Sequence, residues 1–456
     1  DIFYELCDEM GIMVWQDFMF ACSMYPAHQD FLESVEREAE YQIKRLRSHP
    51  SIILWCGNNE IASGWLSWGW KEELPSSVWD DYKKIFHDLL PNICKKLDPG
   101  RLYWPSSPGH STQLPESDQI YGSGDNHYWG VWHGGDGFDA FEENIGRFLS
   151  EYGMQSFPEM GTIMKFAEEK DLDINSKVMM YRQKASLGTG NLLKYIEDYF
   201  SQQKDFRSIV VLSQIMQALA IKTAVENHRK SMPFCMGTLY WQFNDCWPAI
   251  SWSSVDYFGN WKALHYYAKR FFNEIIIVIN EERDHVHINV INDQHKTVES
   301  LIKFQLLTFD GSIIHEKTFN YTITETSSDV ACSLEKKRYL EDQALSNLFI
   351  HAEITKGENV VCKNKYFFVL PKDLNIPDPK FTYETKKFGK IVTIQIQAIT
   401  FIYQLFITCN NADGIFSDNY FDLLSGETVT INFTPADKSI DSKYDFTLNT
   451  VKDIIH

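Results

Sequence analysis

Basic residues are scarce in this sequence relative to acidic ones. Its 456 residues include 43 lysines and arginines against 62 aspartates and glutamates, so the formal net charge is −19 at pH 7. Nucleic acids and anionic membrane surfaces are bound through basic faces, and an acidic protein repels them. The charge balance therefore speaks against nucleic acid or a membrane as a partner, and it fits a neutral substrate.

Cysteines in metal-binding or disulfide patterns are also lacking. Nine cysteines are scattered along the chain, and no two of them have the C-x-x-C spacing. An odd number of scattered cysteines describes neither a disulfide framework nor a zinc site, so we expect most of them to be reduced core thiols. No run approaches the roughly 20 apolar residues of a membrane-spanning helix. We expect no metal ion and no other cofactor.

Tryptophan and methionine are absent from the last part of the chain. The 13 tryptophans lie between Trp15 and Trp261, and the 12 methionines lie between Met10 and Met236. A chain of this length is too long for a single hydrophobic core. The change in composition therefore places a domain boundary near residue 273.

The part before this boundary alternates between strand and helix patterns. Apolar runs near residues 12, 52, 102, 121, 148 and 236 are typical of strands. The run at 121–130 is expected to continue into a loop, and the run at 236–245 is the last strand. Helical patterns cover 2–10 and 30–48, with Asp30 at the N-cap position of the second. Repeated strand–helix units indicate a parallel sheet, and a (β/α)8 TIM barrel needs eight strands. Because we count six, and the chain opens in a helical pattern, we expect a barrel that lacks its first two strands.

Short alternating strands replace this pattern from about residue 275. Segments such as HVHINVIN and LIKFQLLTF are separated by turn residues, which is typical of β-sandwiches. The segment PKDLNIPDP is rich in proline and aspartate and is interpreted as a linker. We therefore expect four parts: a partial catalytic barrel at 1–273, an Ig-like β-sandwich at 274–370, a linker at 371–379 and a second β-sandwich at 380–456.

Two glutamates lie where apolar runs end. Glu60 closes SIILWCGNNE, and Glu151 lies in RFLSEYG. Carboxyl ends of barrel strands line the site in this fold, and two carboxyl groups there can split a glycosidic bond. At about 5.5 Å and an effective dielectric of ~20 their charges repel by about 3 kcal/mol, which keeps one of them protonated near neutral pH. The alternatives are a solvated residue for Glu60 and an ion pair with Arg147 for Glu151.

Longer motifs resemble a known family. WCGNNE, SEYGMQSFPEM and GTLYWQFNDCWPAISWSSVDYFGNWKALHYYAKR are similar to the β-mannosidases of glycoside hydrolase family 2, and FSDNYFDLLSGE resembles their C-terminal domain. The resemblance implies a retaining exo-β-mannosidase that forms a covalent glycosyl-enzyme intermediate. Glu151 would be the nucleophile, Glu60 the acid/base, and Asn59 the partner of the sugar 2-hydroxyl. The resemblance also implies that this chain is the C-terminal part of a longer enzyme.

Further residues are expected at the sugar site. Trp68 and Trp241 resemble the aromatic residues that wall the sugar site in this family, although a lone tryptophan is more often a core residue. Where relatives often have a tyrosine that hydrogen-bonds the nucleophile, this sequence has a histidine at position 133. The expected substrate-binding residues are Asp17, Asn59, Trp68, His127, Trp129, His133 and Trp241.

Two other interpretations stay open. The activity belongs to another family 2 enzyme, such as a β-galactosidase or a β-glucuronidase, or the chain is a truncated piece without activity of its own. The expected partner is a β-mannoside oligosaccharide or glycan, and a homodimer is left open. Glycan breakdown favours a periplasmic, secreted or lysosomal compartment over the cytoplasm.

Overall fold

The computed structural model describes residues 1–109, 124–436 and 443–456. The chain divides into two compact units, each made of several segments. The first unit consists of Asp1–Tyr128, Gly146–Tyr152 and Phe234–Leu239. The second unit consists of Trp129–Ile145, Gly153–Pro233 and Tyr240–His456.

The first unit is built on parallel strands with helices between them. The helices are α1 (Ile2–Met10), α2 (Gln29–Leu46), α3 (Ile61–Ser67), α4 (Trp70–Glu73), α5 (Ser77–Lys83) and α6 (Leu90–Leu97), with a π-helical turn at Lys84–Leu89. The strands are β1 (Val14–Ala21), β2 (Ile52–Asn59), β3 (Leu102–Trp104), β4 (Asp125–His127) and β5 (Phe148–Glu151). β1, β2 and β3 pair in parallel in that order, and β4 pairs in parallel with β5.

The segment predicted as a last strand over 236–245 is only partly paired. Leu149 in β5 forms a parallel bridge with Thr238. The N–H of Leu149 donates to the carbonyl of Gly237, and the N–H of Leu239 donates to the carbonyl of Leu149. The pairing stops at residue 239, so the expected ten-residue strand is wrong in length. These six parallel segments nevertheless fit part of a barrel.

Local signals explain where the first helices begin and end. α1 ends at Met10 because Gly11 adopts a φ of 69°, the left-handed conformation that closes many helices. α2 begins at Gln29, and the ring of His28 accepts a hydrogen bond from the N–H of Phe31 at 3.3 Å. The prediction of Asp30 as the N-cap is therefore wrong by two residues.

The core of the first unit lies between the helices and the outer face of the strands. Apolar side chains recur along α2 at helical spacing and pack with alternate residues of β1 and the fully buried residues of β2. This packing is what the 3.6-residue and two-residue periods of the sequence require. Its buried members include Phe18, Phe20, Val35, Ala39, Ile43, Leu46, Trp55 and Phe86.

The second unit carries the remaining helices. They are α7 (Ala140–Glu143), α8 (Met160–Ile163), α9 (Lys177–Arg182), α10 (Gly188–Tyr199), α11 (Phe206–Lys230), α12 (Ala263–Phe271), α13 (Lys336–Tyr339) and α14 (Val451–Ile454). By length and composition α11 could cross a membrane, contrary to our expectation that no such segment exists. In the structure 72% of its apolar window is buried inside the protein, as in the core helix of a globular domain.

Strands fill the rest of the second unit. They are β6 (Ile275–Glu282), β7 (His285–Asn292), β8 (Val298–Thr308), β9 (Ile313–Ile323), β10 (Ser327–Glu335), β11 (Leu348–Lys356), β12 (Asn359–Phe367), β13 (Phe381–Phe388), β14 (Ile391–Ala398), β15 (Ile402–Cys409), β16 (Gly414–Phe416), β17 (Phe421–Leu423), β18 (Thr428–Pro435) and β19 (Phe446–Asn449).

These strands form four antiparallel sheets. The sheet β10-β7-β6 packs against the sheet β12-β11-β8-β9 over one apolar core, which includes Ile277, Phe304 and Ile350. The strands β13-β14-β18-β16 and β17-β15-β19 form the other two sheets. The expectation of a partial barrel followed by β-sandwich domains is confirmed, whereas the boundaries drawn at 273, 371 and 380 stay a prediction.

Candidate active site

Glu60 lies between the end of β2 and the start of α3. Its backbone has a φ of 61°, in the left-handed region that a non-glycine residue adopts only when its surroundings impose it. The N–H of Glu60 donates to the carbonyl of Ser107 at 2.7 Å. The preceding Asn58 is fully buried, donates to the carbonyl of Pro105 at 2.8 Å and accepts from the N–H of Ile61 at 3.1 Å. These bonds fix Glu60 at the carboxyl end of its strand.

Glu151 lies at the end of the neighbouring sheet. It is the last residue of β5, and its register partner is His127, the last residue of β4. The N–H of Tyr128 donates to the carbonyl of Glu151 at 3.0 Å. Both residues are therefore held by backbone pairing at the carboxyl ends of parallel strands, where barrel enzymes place their sites.

The side chains of Glu60, His127 and Glu151 converge. The Nδ1 atom of His127 is 2.7 Å from Oε1 of Glu60 and 3.9 Å from Oε1 of Glu151. One donor or acceptor atom from each of the three lies within 4.8 Å of the others. The two glutamate side chains are only 13% and 12% exposed. The structure thus brings together the two carboxyl groups that the sequence pattern singles out.

A chain of hydrogen bonds fixes the protonation of His127. The hydroxyl of Ser107 donates to Oδ2 of Asp125 at 2.6 Å and lies 2.9 Å from Nε2 of His127. A hydroxyl has one hydrogen to donate, and that of Ser107 is used in the hydrogen bond to Asp125. We therefore assign Nε2 of His127 as the donor in the second bond. The ring then carries a proton on Nε2 while Nδ1 faces the carboxylate of Glu60.

The electrostatic surroundings of His127 favour its charged form. Burial lowers the pKa of this histidine, but the hydrogen bond to Glu60 and the negative charges of Glu151, Glu60 and Asp125 outweigh it. The net result is a pKa above the usual value. A doubly protonated ring that donates to both Ser107 and Glu60 agrees with this direction.

Asp125 anchors the arrangement from behind. It is 3% exposed and accepts hydrogen bonds from the indole of Trp104, the N–H of Gly109 and the hydroxyls of Ser107 and Ser150, at 2.5–2.9 Å. The sequence patterns above predict neither Asp125 nor Ser107. The spacing of Asp125 and His127 could have pointed to Asp125, because residues two apart in a strand share a face. Ser107 has no comparable signal in the sequence.

Cys22 touches the same carboxylate from the neighbouring strand. Its Sγ atom is 3.5 Å from Oε2 of Glu60 and 3.7 Å from Nδ2 of Asn59. The N–H of Cys22 donates to the carbonyl of Asn59 at 2.9 Å. The parallel register pairs Ala21 with Asn59, so the residues that follow each strand meet side by side. The sequence analysis assigns a role to Asn59 but none to Cys22.

Two further predicted residues lie in the first unit. Asp17 is in β1 and accepts a hydrogen bond from the indole of Trp15 at 2.8 Å. Trp68 follows α3, is 46% exposed and meets Trp70 edge-to-face at 5.4 Å. An exposed indole is available to a ligand, whereas Trp65 nearby is buried and stacks on Trp79.

The other predicted residues lie in the second unit. The rings of Trp129 and His133 meet edge-to-face at 4.9 Å, and Trp129 also approaches Trp252 at 6.2 Å. Trp241 is 45% exposed. These side chains offer aromatic and imidazole surfaces of the kind that sugar sites use.

Glu60, His127 and Glu151 are also the group whose spacing could hold a metal ion, among the residues that the structure describes. A protonated imidazole cannot bind a metal, and the pKa of His127 lies above its usual value. Both of its ring nitrogens are already engaged in hydrogen bonds. The hydrogen bonds of His127 and the direction of its pKa shift agree with a site that moves protons.

Known proteins resemble this chain in sequence and fold. Residues 284–373 match the family model of the mannosidase Ig/CBM-like domain, and residues 376–454 match an Ig-fold domain model. A β-mannosidase from Capra hircus is 32% identical over 95% of this chain and 52% of its own length. The crystal structure of a β-D-mannosidase from Dictyoglomus thermophilum superposes with a TM-score of 0.87 at 35% identity, over 99% of this chain and 54% of that one.

The chain matches the glycoside hydrolase family 2 β-mannosidases in both sequence and fold. It corresponds to their C-terminal region, with part of the barrel and the Ig-like domains, and the resemblance read from the motifs is confirmed. This family 2 chain spans about half the length of the curated relatives it matches. An exo-chitosanase from Amycolatopsis orientalis shares the fold, with a TM-score of 0.73 at 15% identity.

Proposed function

We propose that the full-length gene product is a retaining exo-β-mannosidase that releases terminal β-D-mannose from oligosaccharides or glycans. The observation that carries the proposal is the convergence of Glu60, His127 and Glu151 within 4.8 Å. Retaining enzymes hold their two carboxyl groups about 5–5.5 Å apart, whereas inverting enzymes leave about 6.5–9.5 Å for a water molecule. The short spacing supports the first class.

In the first step, a carboxylate oxygen of Glu151 attacks the anomeric carbon. The bond from that carbon to the glycosidic oxygen breaks, and the departing oxygen takes a proton from Glu60. In the second step, water attacks the same carbon, gives its proton to Glu60 and displaces Glu151. Two displacements at one carbon restore its configuration.

His127 would hold the acid/base between these steps. Nδ1 of His127 lies 2.7 Å from Oε1 of Glu60. We propose that it donates to this oxygen, which leaves Oε2 as the oxygen that carries the transferred proton. Its positive charge also lies near Glu151 and offsets the negative charge of the nucleophile. We propose Asn59, Asp17, Trp68, Trp129, His133 and Trp241 as the residues that bind the sugar.

Replacement of the two glutamates tests the proposal. In the full-length gene product, Glu151→Ala should lower kcat on 4-nitrophenyl β-mannoside by at least about 1000-fold, because no other group can form the intermediate. Azide should restore turnover and give the α-mannosyl azide, since the anion attacks the face that Glu151 occupied. Glu60→Ala should be rescued to the β-azide with a 2,4-dinitrophenyl leaving group, which departs without protonation.

The matched control is Glu38→Ala, which removes an exposed carboxylate on α2 and should leave kcat within about twofold. Full activity of Glu151→Ala would contradict the assignment. Faster turnover of the corresponding galactoside or glucuronide than of the mannoside would favour another family 2 activity. We expect residues 1–456 by themselves to have little activity.

The setting of this activity is also a proposal. Glycans are broken down in lysosomes, outside cells or in the periplasm, and we propose one of these compartments rather than the cytoplasm. Fractionation of the source cells, with activity measured in each fraction, tests this point. Activity confined to the cytoplasmic fraction would contradict it.

A further inference from the structure

Two non-glycine residues with left-handed backbone meet beside the acid/base. Cys22 has a φ of 46° and Glu60 has a φ of 61°. Each follows the end of a parallel strand, and their side chains touch at 3.5 Å. A left-handed conformation costs a non-glycine residue about 1 kcal/mol or more, and such residues cluster at functional sites. Two such residues in contact indicate that the surrounding structure holds the ends of β1 and β2 in this conformation for a functional reason.

The Cys22 thiol stays protonated at the pH of any glycosidase assay. Cys22 is an exposed residue, but desolvation of its sulfur by the surrounding protein raises the pKa of the thiol to about 12, and the negative charge of Glu60 adds to this effect. The group is therefore an S–H donor and not a thiolate. Its one proton points to Oε2 of Glu60, while its sulfur accepts from the amide of Asn59 at 3.7 Å.

We propose that Cys22 is a positioning residue for Glu60, holding Oε2 in place through a bond weak enough to break during proton transfer. The inference rests on the proposed function, because it assigns a partner to the acid/base of that reaction. It adds the residue that follows β1 to a site otherwise built at the ends of β2, β4 and β5.

The two oxygens of Glu60 have partners of different strength. Oε1 lies 2.7 Å from Nδ1 of His127, and this short hydrogen bond is charge-assisted when the ring is doubly protonated. Oε2 faces a thiol, which is a weak donor and a weak acceptor. Oε2 can therefore exchange its partner for the glycosidic oxygen at little cost, while Oε1 remains fixed.

The thiol also suits both protonation states of the acid/base. When Glu60 is a carboxylate, the S–H donates to Oε2, and when Oε2 carries the proton, the sulfur accepts it. A hydroxyl would donate more strongly to the carboxylate and so favour the ionised form. Among the described residues, Cys22 and His127 are the ionisable groups in contact with Glu60, and Glu151 lies 3.9 Å from the same nitrogen of His127.

A comparison of leaving groups tests the role in the full-length gene product. Cys22→Ala should lower kcat/KM for β-1,4-mannobiose about tenfold, since one hydrogen bond to the acid is lost. It should change kcat/KM for 2,4-dinitrophenyl β-mannoside less than about twofold, because this leaving group needs no proton. Cys332→Ser, in β10 of the first sandwich, is the control and should match the parent on both substrates.

Cys22→Ser adds a second readout and guards against misfolding of the alanine variant. The alkaline limb of its kcat/KM profile on mannobiose should move to lower pH by about half a unit to one unit, since the hydroxyl stabilises the carboxylate. Equal losses on the two substrates, or both variants unchanged with unshifted limbs, would overturn the inference. Glu60→Ala and Glu151→Ala run beside them separate this failure from failure of the proposed function, which would leave those variants active.

Discussion

Polar side chains from neighbouring strands form one connected hydrogen-bond network in the site. The hydroxyl of Ser107 donates to Asp125 and is hydrogen-bonded to Nε2 of His127, and Nδ1 of His127 is hydrogen-bonded to Glu60. Such networks are rigid when every member is satisfied and costly when one is removed. The geometry of the acid/base therefore depends on Asp125, which lies at the start of β4, two residues before His127.

Removal of Asp125 should show this dependence. Asp125→Ala leaves four donors without their acceptor in a buried site, so we expect the free energy of unfolding to fall by about 3 kcal/mol or more. Urea denaturation followed by circular dichroism measures the change. Asp80→Ala, on the exposed side of α5, is the control and should cost less than about 1 kcal/mol. Equal midpoints for the two variants would contradict this account of the network.

At this scale the sequence predicts the reactive groups better than their supports. Glu60 and Glu151 stand out because each ends an apolar run, and they do converge in the fold. The supporting residues Asp125, Ser107 and Cys22 do not stand out in this way. Their partners lie 16–43 residues away in the sequence, and only the sheet register brings them together. Their assigned roles stay proposals until the variants are measured.

Among the elements, β2 is held close to the segment after β3. A Cβ atom on Gly57 would lie 2.4 Å from the carbonyl oxygen of Pro105 and 2.5 Å from the hydroxyl of Tyr103. The first of these atoms is backbone and cannot move aside alone. The glycine therefore sets the distance between β2 and its neighbour, and with it the position of Glu60 three residues later.

Gly57→Ala should accordingly separate the two segments. We expect a loss of about 1–3 kcal/mol in the free energy of unfolding, as for other overpacked sites, together with lower kcat in the full-length gene product. Thermal and urea denaturation measure the first effect. Gly100→Ala is the matched control, since a Cβ there meets nothing within 4 Å. A Gly57→Ala variant as stable as the control would show that the segments can relax.

Elements with strong local signals are predictable from the sequence, and their boundaries are less so. Residues 2–10 form α1 as expected, and the apolar run from Ile52 forms β2. The strand predicted over 236–245 is too long, because its pairing with β5 stops at residue 239. The sequence pattern does not show where this pairing ends. Part of the strand predicted at 121–130 is found as β4, and residues 121–123 lie outside the described part of the chain.

Across the whole molecule, buried charges make stability depend on pH. In the second unit, burial and the negative charge of Asp256 raise the pKa of Glu159 to about 7, although Gln214, Lys262 and Tyr420 act in the opposite direction. A carboxyl group whose folded pKa is raised stabilises the fold while it is protonated. This contribution is present below its unfolded value of 4.5 and is lost as the pH rises through about 7.

Glu159→Gln should remove this dependence. Between pH 5 and pH 7.5 the melting temperature of the parent should fall relative to that of the variant, because the glutamine stays neutral throughout. Differential scanning calorimetry at a series of pH values measures the difference. Glu197→Gln, on the exposed side of α10, should follow the parent. Parallel curves for the parent and Glu159→Gln would mean that Glu159 is already ionised at pH 5.

The uneven distribution of tryptophan has a practical consequence for the two kinds of domain. All 13 tryptophans precede residue 262, whereas the sandwich strands run from Ile275 to Asn449. Light at 295 nm excites indole almost alone. Tryptophan emission of this protein therefore arises before residue 262, and the sandwich strands contribute no tryptophan emission of their own. A shift of that spectrum therefore reports a change around one or more of these tryptophans, and the sandwich strands influence it only through the residues that pack against them.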